Sequence, residues 1–377
     1  MLAEKFIEKI ESELGCDFYT GVPDSLLKPF SDTLFLKYGF GKKHIVAQNE
    51  GGAVGLAAGQ YLSSGRPGVV YMQNSGIGNA VNPIVSLLDE KVYAIPCVFV
   101  VGLRGEPGVK DEPQHVFQGE ITVKLLSDIG LFPMVISKDT DEDTLDGYFK
   151  RAKELLDNGK CPAFVIKKGA LFSSSSHKFE VKSELSREEA IEIITKTAKG
   201  DVFVSTTGKA SRELFELREK RSEGHSNDFL TVGSMGHASM IALGIALNKP
   251  ETKVWCIDGD GACLMHMGAM HVISKSGAKN IVHTVINNGS HESVGGMPIG
   301  GGAEDFAAVA KASGYENVYS VKTKDELKRA VEQIKNGEKA AFLQIYTALG
   351  SRPDLGRPTT TPKQNKDSFM ERLRELK

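Results

Sequence analysis

Short apolar runs alternate with longer amphipathic stretches along the chain, and this pattern predicts repeated β–α–β units. Helices are predicted in the intervals between the strands, such as 50–64 and 142–157. Six apolar runs in each half are rich in β-branched and aromatic residues, which predicts strands at 18–22, 44–48, 69–73, 94–101, 133–137 and 163–167, and at 202–205, 229–232, 254–257, 281–286, 318–321 and 341–346. We therefore predict an α/β fold with two doubly wound parallel sheets.

A low-complexity tract marks the boundary between the two halves. Four consecutive serines, 173–176, precede a charged stretch, and such composition is typical of a linker. The length of 377 residues is enough for two domains at about 150 residues each. We predict a first domain at 1–172, a linker at 173–186, a second domain at 187–350 and a C-terminal arm at 351–377.

Charge and composition exclude several classes of protein. The 46 basic and 48 acidic side chains give a formal net charge of −2, without the basic excess of a nucleic-acid or membrane-surface binder. The first residues lack the apolar core of a signal peptide, and no run of about 18 apolar residues occurs. The 5 cysteines show no CxxC spacing, which disfavours disulfides and structural zinc. We expect a cytoplasmic protein whose partners are small molecules or other subunits.

The strongest chemical signal is the acidic, glycine-rich segment Asp258-Gly259-Asp260-Gly261, directly after an apolar run. The next predicted strand ends at Asn287-Asn288. Glycines admit a diphosphate, and a carboxylate and an amide from the carboxyl ends of neighbouring strands can share a hard cation such as Mg²⁺. An EF-hand is excluded because its twelfth position is Ala269 rather than Glu. For this segment alone, a simple turn remains the alternative.

Segment 259–288 begins with Gly259-Asp260-Gly261, continues for 25 residues (262–286) and ends with Asn287-Asn288. This arrangement resembles the diphosphate motif of the thiamine-diphosphate-dependent decarboxylases. The resemblance implies thiamine diphosphate and Mg²⁺ as cofactors, with Asp260, Asn288 and the main-chain oxygen of Ser290 as metal ligands. It also implies that Met235 holds the cofactor bent, although plain core packing is the alternative. The implied cofactor-binding residues are Glu50, Thr206, Thr207, Gly208, Gly233, Ser234, Met235, Gly259, Asp260, Gly261, Ala262 and Asn288.

A second match to the same family lies in the first half of the chain. Gln48-Asn49-Glu50 is followed by a helix with the family's small residues at Ala53, Ala57 and Gly59. In that family a buried glutamate stabilises the imino tautomer of the cofactor's aminopyrimidine, which then removes the C2 proton, and the resemblance implies this role for Glu50. For the helix alone, the alternative is a glutamate that only interacts favourably with the helix dipole. Segment 74–78 resembles the family's glycine turn.

The resemblance covers the whole chain and is strongest to a two-domain branch of the family, through segments 21–25, 110–119, 287–296 and 352–360. It implies decarboxylation of a phosphonate-bearing 2-keto acid in phosphonate biosynthesis, by a homo-oligomer with active sites at subunit interfaces. The implied proton-transfer residues are Asp24 and His115, the latter in a charged, glycine-rich loop. A surface polar role is the alternative for both. Candidates for substrate binding are Arg104 and Lys110, with a solvated loop charge as the alternative, followed by Ser290 and His291.

Other functions stay open at this level. The same cofactor could serve a sulfonate-bearing keto acid or a carboligase, and residues 104–115 do not decide between these. A cofactor-binding α/β protein without catalysis is the non-enzyme alternative, and Glu50 argues against it because binding alone does not need this acid. The remaining histidines have no HExxH spacing, so we predict packing or hydrogen bonding for His237, His266, His271 and His283.

Overall fold

The computed structural model describes residues 1–300 and 304–376. It divides into two compact units, Met1–Lys178 and Phe179–Lys377. The division falls within the segment predicted to be a linker. No helix among the described residues is long and apolar enough to cross a membrane.

The first unit contains a six-stranded, all-parallel sheet of order β2-β1-β3-β4-β6-β5. Its strands are β1 (Tyr19–Gly21), β2 (His44–Val46), β3 (Gly68–Gln73), β4 (Cys97–Gly102), β5 (Leu131–Ile136) and β6 (Cys161–Ile166). Its helices are α1 (Ala3–Leu14), α2 (Lys28–Tyr38), α3 (Glu50–Ser64), α4 (Ile77–Pro83), α5 (Pro113–Asp128) and α6 (Glu142–Asp157). Segment 74–78 forms a 3₁₀ turn and the start of α4.

The second unit contains another six-stranded, all-parallel sheet, of order β13-β14-β10-β9-β7-β8. Its strands are β7 (Val202–Ser205), β8 (Asp228–Leu230), β9 (Val254–Gly259), β10 (Ile281–Asn287), β13 (Asn317–Val321) and β14 (Ala341–Tyr346). Its helices are α7 (Arg187–Thr197), α8 (Lys209–Lys220), α9 (Ala238–Asn248), α10 (Asp260–Met265), α11 (Ala269–Lys275), α12 (Phe306–Ser313), α13 (Lys324–Asn336) and α14 (Pro362–Glu375).

A small antiparallel pair, β11 (Ser290–His291) and β12 (Met297–Pro298), follows β10 and was not predicted from the sequence. Its strands have two residues each, too short to show an alternation of apolar and polar side chains.

Both sheets are covered on both faces, which explains why the strands are nearly continuous apolar runs. In β3, Val69 and Tyr71 pack into one core, and Val70 and Met72 pack into a second core on the opposite face. The second unit likewise has two cores. The predicted α/β class with two doubly wound parallel sheets is confirmed.

The strand orders identify where ligands can bind. The chain reverses its direction across the sheet between β1 and β3 in the first unit, and between β7 and β9 in the second. In such sheets the crevice beyond the carboxyl ends of the strands at this reversal is the usual ligand site. Thr206, after β7, donates its N–H to the oxygen of Ile257 in β9, so these two strand ends are joined directly.

Candidate active site

Asp260 holds together the ends of two neighbouring strands. It is buried at the start of α10, directly after β9. Its Oδ2 accepts the backbone N–H groups that follow β10, those of Asn288, Gly289 and Ser290, at 2.9, 2.7 and 3.3 Å. Its Oδ1 accepts the N–H of Gly261 at 2.6 Å. The two motifs singled out in the sequence therefore meet at one carboxylate.

The charge of Asp260 has no ion-pair partner among the described residues. Burial raises the pKa of Asp260 to about 6, although its four backbone N–H donors act in the opposite direction. A nearby cation would favour the ionised form, and carboxylate, amide and main-chain oxygens are the ligands that Mg²⁺ prefers. The donor set of this site fits the divalent cation that the sequence predicts.

The side-chain NH₂ groups of the two asparagines after β10 have different partners. Asn287 donates its Nδ2 to the main-chain oxygen of Glu304 at 2.8 Å, away from Asp260. Asn288 accepts the N–H of Ser290 with Oδ1 at 3.1 Å, and that N–H also faces Asp260. Asn287 Oδ1 likewise accepts the N–H of Gly289 at 3.1 Å, and that N–H also faces Asp260, so Asn288 as the amide ligand stays a prediction.

A buried ionic cluster lies behind Asn288 and was missed in the sequence. Asn288 donates Nδ2 to Glu292 Oε2 at 2.8 Å. Glu292 also pairs with Arg187 and, at 2.7 Å, with Lys209, while Arg187 forms a second, two-pronged ion pair with Glu213. Burial would raise the pKa of Glu292, but the two cations outweigh it and the pKa lies below its ordinary value.

His291 and Met235 converge on Gly261. A side chain at Gly261 would place its Cβ 3.0 Å from His291 Nδ1 and 3.4 Å from Met235 Cε. Burial lowers the pKa of His291 to about 4, so its imidazole is neutral at pH 7. Its Nε2 has no hydrogen-bond partner within the described ranges. Met235 thus lies beside the diphosphate motif, in the loop that also contains Gly233 and Ser234, and its role toward the cofactor stays a prediction.

Residues 206–208 lead into the N-terminus of α8. Gly208 has φ 90° and ψ −136°, a conformation open almost only to glycine, and α8 begins at the next residue. The first N–H groups of such a helix are suited to bind a phosphate. The position of this helix end, beside the β7 and β9 strand ends, fits a diphosphate group.

Glu50 is buried at the first position of α3, next to the turn after β3. Its Oε2 accepts Nδ2 of Asn79 at 2.7 Å, and a side chain at Gly76 would collide with its Oε1. Burial raises the pKa of Glu50, partly offset by the Asn79 hydrogen bond. Asn79 follows the glycine turn of the sequence motif, but a lone asparagine in a helix carries no signal that would have identified it.

Asp24 is fully buried beyond the end of β1. Oδ2 accepts the N–H of Leu27 at 3.2 Å, and Oδ1 has no partner in the described part of the chain. A side chain at Gly102, at the end of β4, would collide with Oδ2. Burial raises the pKa of Asp24 to about 6, although the N–H of Leu26, the charge of Arg104 and other nearby N–H groups act to lower it. A carboxyl with this pKa can exchange a proton near neutrality.

The loop after β4 is stabilised by an ion pair between two of its own residues. Arg104 pairs with Asp111 through Nε at 2.9 Å and through Nη2, and donates Nη1 to Ser25 at 3.1 Å. Lys110 is exposed. The prediction that His115 lies in this loop is wrong: it is in the first turn of α5, because Pro113 starts the helix. His115 is buried, and its Nδ1 is unpartnered in the described chain.

One other group of metal-ligating side chains occurs among the described residues. Cys256, Asp258 and His283 are buried, with ligand atoms within 4.8 Å of one another. His283 Nε2 lies 3.4 Å from Asp258 Oδ2, so the histidine has the hydrogen-bonding position predicted for it. No hydrogen bond in the described chain joins these three side chains to Asn288–Ser290.

Replacing Asp24 with asparagine should stabilise the protein near neutral pH. Because the pKa of Asp24 is raised in the folded protein, its ionisation lowers the free energy of unfolding as the pH rises from about 4 to about 6. The loss of stability persists above that range. The shift corresponds to at most about 3 kcal/mol. Thermal unfolding should show a higher Tm for Asp24→Asn at about pH 7.5 and little change near pH 4.

Asp32→Asn is the matched control for this prediction. Asp32 is also buried in the first unit, but it forms an ion pair with Lys28, so its loss should bring no gain. Equal stabilisation by both variants, or a gain independent of pH, would contradict the account of Asp24.

Comparisons with known proteins identify the class of protein. The family model of the thiamine pyrophosphate enzyme N-terminal binding domain matches residues 2–126, and that of the C-terminal binding domain matches residues 206–345. Thiamine pyrophosphate is another name for thiamine diphosphate. Fold, site and both matches define a thiamine-diphosphate enzyme.

Three curated relatives narrow the class. A phosphonopyruvate decarboxylase of Streptomyces viridochromogenes is 32% identical over 369 residues, covering 93% of this chain and 90% of the relative. One from Streptomyces hygroscopicus is 32% identical over 377 residues, covering 95% and 90%. A sulfopyruvate decarboxylase of Methanosarcina acetivorans is 24% identical over 392 residues, covering 98% and 97%. The chain belongs to the family of thiamine-diphosphate-dependent decarboxylases that contains these phosphonopyruvate decarboxylases.

Proposed function

We propose that this enzyme decarboxylates 3-phosphonopyruvate to phosphonoacetaldehyde and CO₂, with thiamine diphosphate and Mg²⁺ as cofactors. The observation that carries this choice of substrate is the 32% identity to two phosphonopyruvate decarboxylases over nearly the full chain. The identity to the sulfopyruvate decarboxylase is lower, at 24% over a similar length. The reaction would serve the biosynthesis of phosphonates.

In this proposal the second unit binds the charged end of the cofactor. Asp260, Asn288 and the main-chain oxygen of Ser290 hold Mg²⁺, and the glycines of residues 259–261 and the start of α8 bind the diphosphate. When bound, thiamine diphosphate supplies the nucleophile and the electron sink for loss of CO₂. Met235 keeps the cofactor bent by packing beside Gly261.

The first unit supplies the acids and bases of the proposal. Glu50, whose pKa is raised by burial, would hold a proton for a ring nitrogen of the bound aminopyrimidine. Asp24 and His115 transfer protons to and from the substrate, and each has a buried polar atom without a partner in the described residues. His291, neutral and unpartnered at Nε2, is available to hydrogen-bond the substrate.

The proposal includes an assembly. One cofactor needs groups of both units, and the resemblance to the family implies that these come from two copies of the chain. We therefore propose a homo-oligomer with active sites at subunit interfaces. We also propose a cytoplasmic location, since all five cysteines are free and buried.

The direct test is CO₂ release from phosphonopyruvate, sulfopyruvate and pyruvate, with and without thiamine diphosphate and Mg²⁺. We expect the highest kcat/KM with phosphonopyruvate, dependence on both cofactors, and phosphonoacetaldehyde as the product. A higher kcat/KM with sulfopyruvate, or a carboligation product, would overturn the proposed substrate or reaction.

If Arg104 and Lys110 bind the phosphonate, replacing either one should change the preference of the enzyme for phosphonopyruvate over pyruvate. A charged hydrogen bond contributes about 1.5–3 kcal/mol, so Lys110→Ala and Arg104→Ala should each lower kcat/KM for phosphonopyruvate by roughly ten- to a hundred-fold. Slow turnover of pyruvate should be nearly unchanged, because its methyl group offers no acceptor. Steady-state kinetics with both substrates measure the ratio of their kcat/KM values in each variant.

Asp111→Asn is the control for the shape of this loop. It weakens the ion pair that orders Arg104 but removes no cation. If Asp111→Asn and Arg104→Ala lowered turnover of both keto acids equally, the loop would shape the site rather than recognise the phosphonate.

A further inference from the structure

Glu292 contacts a predicted metal ligand without being one. Its Oε2 accepts the amide Nδ2 of Asn288 at 2.8 Å. The cations that neutralise it come from the first residues of two different helices, Arg187 of α7 and Lys209 of α8. The side chain of Glu292 is only 9% exposed, and that of Arg187 8%, so water does not replace these contacts easily.

These contacts fix which end of the Asn288 amide faces Asp260. An ionised carboxylate only accepts hydrogen bonds, so the atom of Asn288 that faces Glu292 must be the NH₂ group. On the other side, the N–H of Ser290 can only donate, so the atom that faces it must be the amide oxygen, at 3.1 Å. Two independent contacts thus select the same orientation, and the oxygen lies against the N–H that Asp260 also accepts at 3.3 Å.

We propose that Glu292 is a positioning residue that turns the amide oxygen of Asn288 toward the cation site, with Arg187 and Lys209 holding its carboxylate in place. This inference rests on the proposed function, because it assumes that Asn288 and Asp260 bind the metal. A freely rotating asparagine would present NH₂ to the cation in part of its population, and an NH₂ group is not a ligand. Fixing the orientation in advance raises the affinity for the metal.

The cluster offers a matched control for charge. Glu213 and Glu292 are both buried carboxylates paired with Arg187, but Glu213 does not contact Asn288. Glu292→Gln and Glu213→Gln each remove one negative charge from the same cluster. Only Glu292→Gln alters a contact of Asn288: it leaves a single oxygen where the carboxylate accepts from Asn288 with Oε2 and from Lys209 with Oε1.

The test measures metal binding rather than turnover. Calorimetry of thiamine diphosphate binding at a series of free Mg²⁺ concentrations gives the half-saturating Mg²⁺ concentration for each variant of the full chain. Loss of a hydrogen bond that orients a metal ligand typically lowers metal affinity by about 10- to 100-fold, so Glu292→Gln should raise the half-saturating Mg²⁺ concentration by about that factor. Glu213→Gln should change it by less than about 3-fold. Glu292→Asp keeps the charge but shortens the side chain by one methylene, so it should also raise the half-saturating Mg²⁺ concentration. This variant replaces Glu292→Gln in the test if Glu292→Gln folds poorly.

Asp260→Asn separates the failure of this inference from the failure of the proposed function. If Asp260→Asn raises the half-saturating Mg²⁺ concentration but Glu292→Gln does not, or if Glu292→Gln and Glu213→Gln shift it equally, the positioning role is wrong and the metal site stands. If Asp260→Asn has no effect, the assignment of the metal site is wrong, and the inference falls with it.

Discussion

An Asp260→Asn variant should bind thiamine diphosphate in the presence of Mg²⁺ about 100-fold more weakly, or worse. Asparagine keeps the size of the side chain and can still accept the N–H groups that follow β10, but it removes the one anionic ligand of the proposed site. Loss of an outer contact of a metal ligand already costs about 10- to 100-fold, so loss of the charged ligand itself should cost more. Calorimetry at saturating Mg²⁺ measures the effect.

Asp258→Asn is the matched control for Asp260→Asn. Asp258 is a buried carboxylate two residues upstream that pairs with His283 and accepts the N–H of Gly259, and none of its hydrogen bonds in the described chain reaches the residues after β10. Its loss should leave cofactor affinity nearly unchanged. Unchanged affinity in Asp260→Asn, or an equal loss in both variants, would contradict the metal assignment.

Most of the twelve strands of the two sheets could be predicted from the sequence because they are buried on both faces, whereas the edge strand β13 is buried only at Val321. A strand of this kind is a continuous apolar run, and glycines and polar residues follow it where the chain leaves the sheet. The same topology explains why Asp260 and Asn288 could be paired in advance. In a parallel sheet the carboxyl ends of neighbouring strands meet at one edge, so short motifs after β9 and β10 must lie close together.

The contacts that support the site could not be predicted in this way. Glu292 and Arg187 are separated by 105 residues, and nothing in the local sequence of either one indicates the other. Asn79 reaches Glu50 from a different helix, across 29 residues. Local patterns specify which residues form an element and which face is buried, but the partner of a polar side chain depends on how elements pack in three dimensions.

The error at His115 has a local cause. The glycines and charges from Arg104 onward predict a loop, and that composition hid the helix start that Pro113 provides. The helix changes the chemistry available to His115: its ring is buried, and burial together with the charge of Arg104 lowers its pKa, so at neutral pH it can accept a proton.

Glu50→Gln should lower kcat by about 100-fold or more while changing cofactor affinity much less. Glutamine fills the same space against Gly76 and can still accept the Nδ2 hydrogen bond of Asn79, so the pocket should keep its shape. What it loses is the acidic proton, and general acid–base groups typically contribute about 10²- to 10⁴-fold. The raised pKa of Glu50 supports this role, because a carboxyl that holds its proton more strongly can share it with a ring nitrogen.

Two measurements distinguish activation by Glu50 from simple anchoring of the cofactor. Hydrogen–deuterium exchange at C2 of the bound cofactor reports activation directly, and it should slow in Glu50→Gln by a factor similar to that of kcat. Asn79→Ala keeps the acid but removes its hydrogen bond, so it should slow the exchange less than Glu50→Gln does. If the exchange in Glu50→Gln ran at the wild-type rate while the cofactor bound more weakly, Glu50 would be an anchor and its assignment as the activating acid would be wrong.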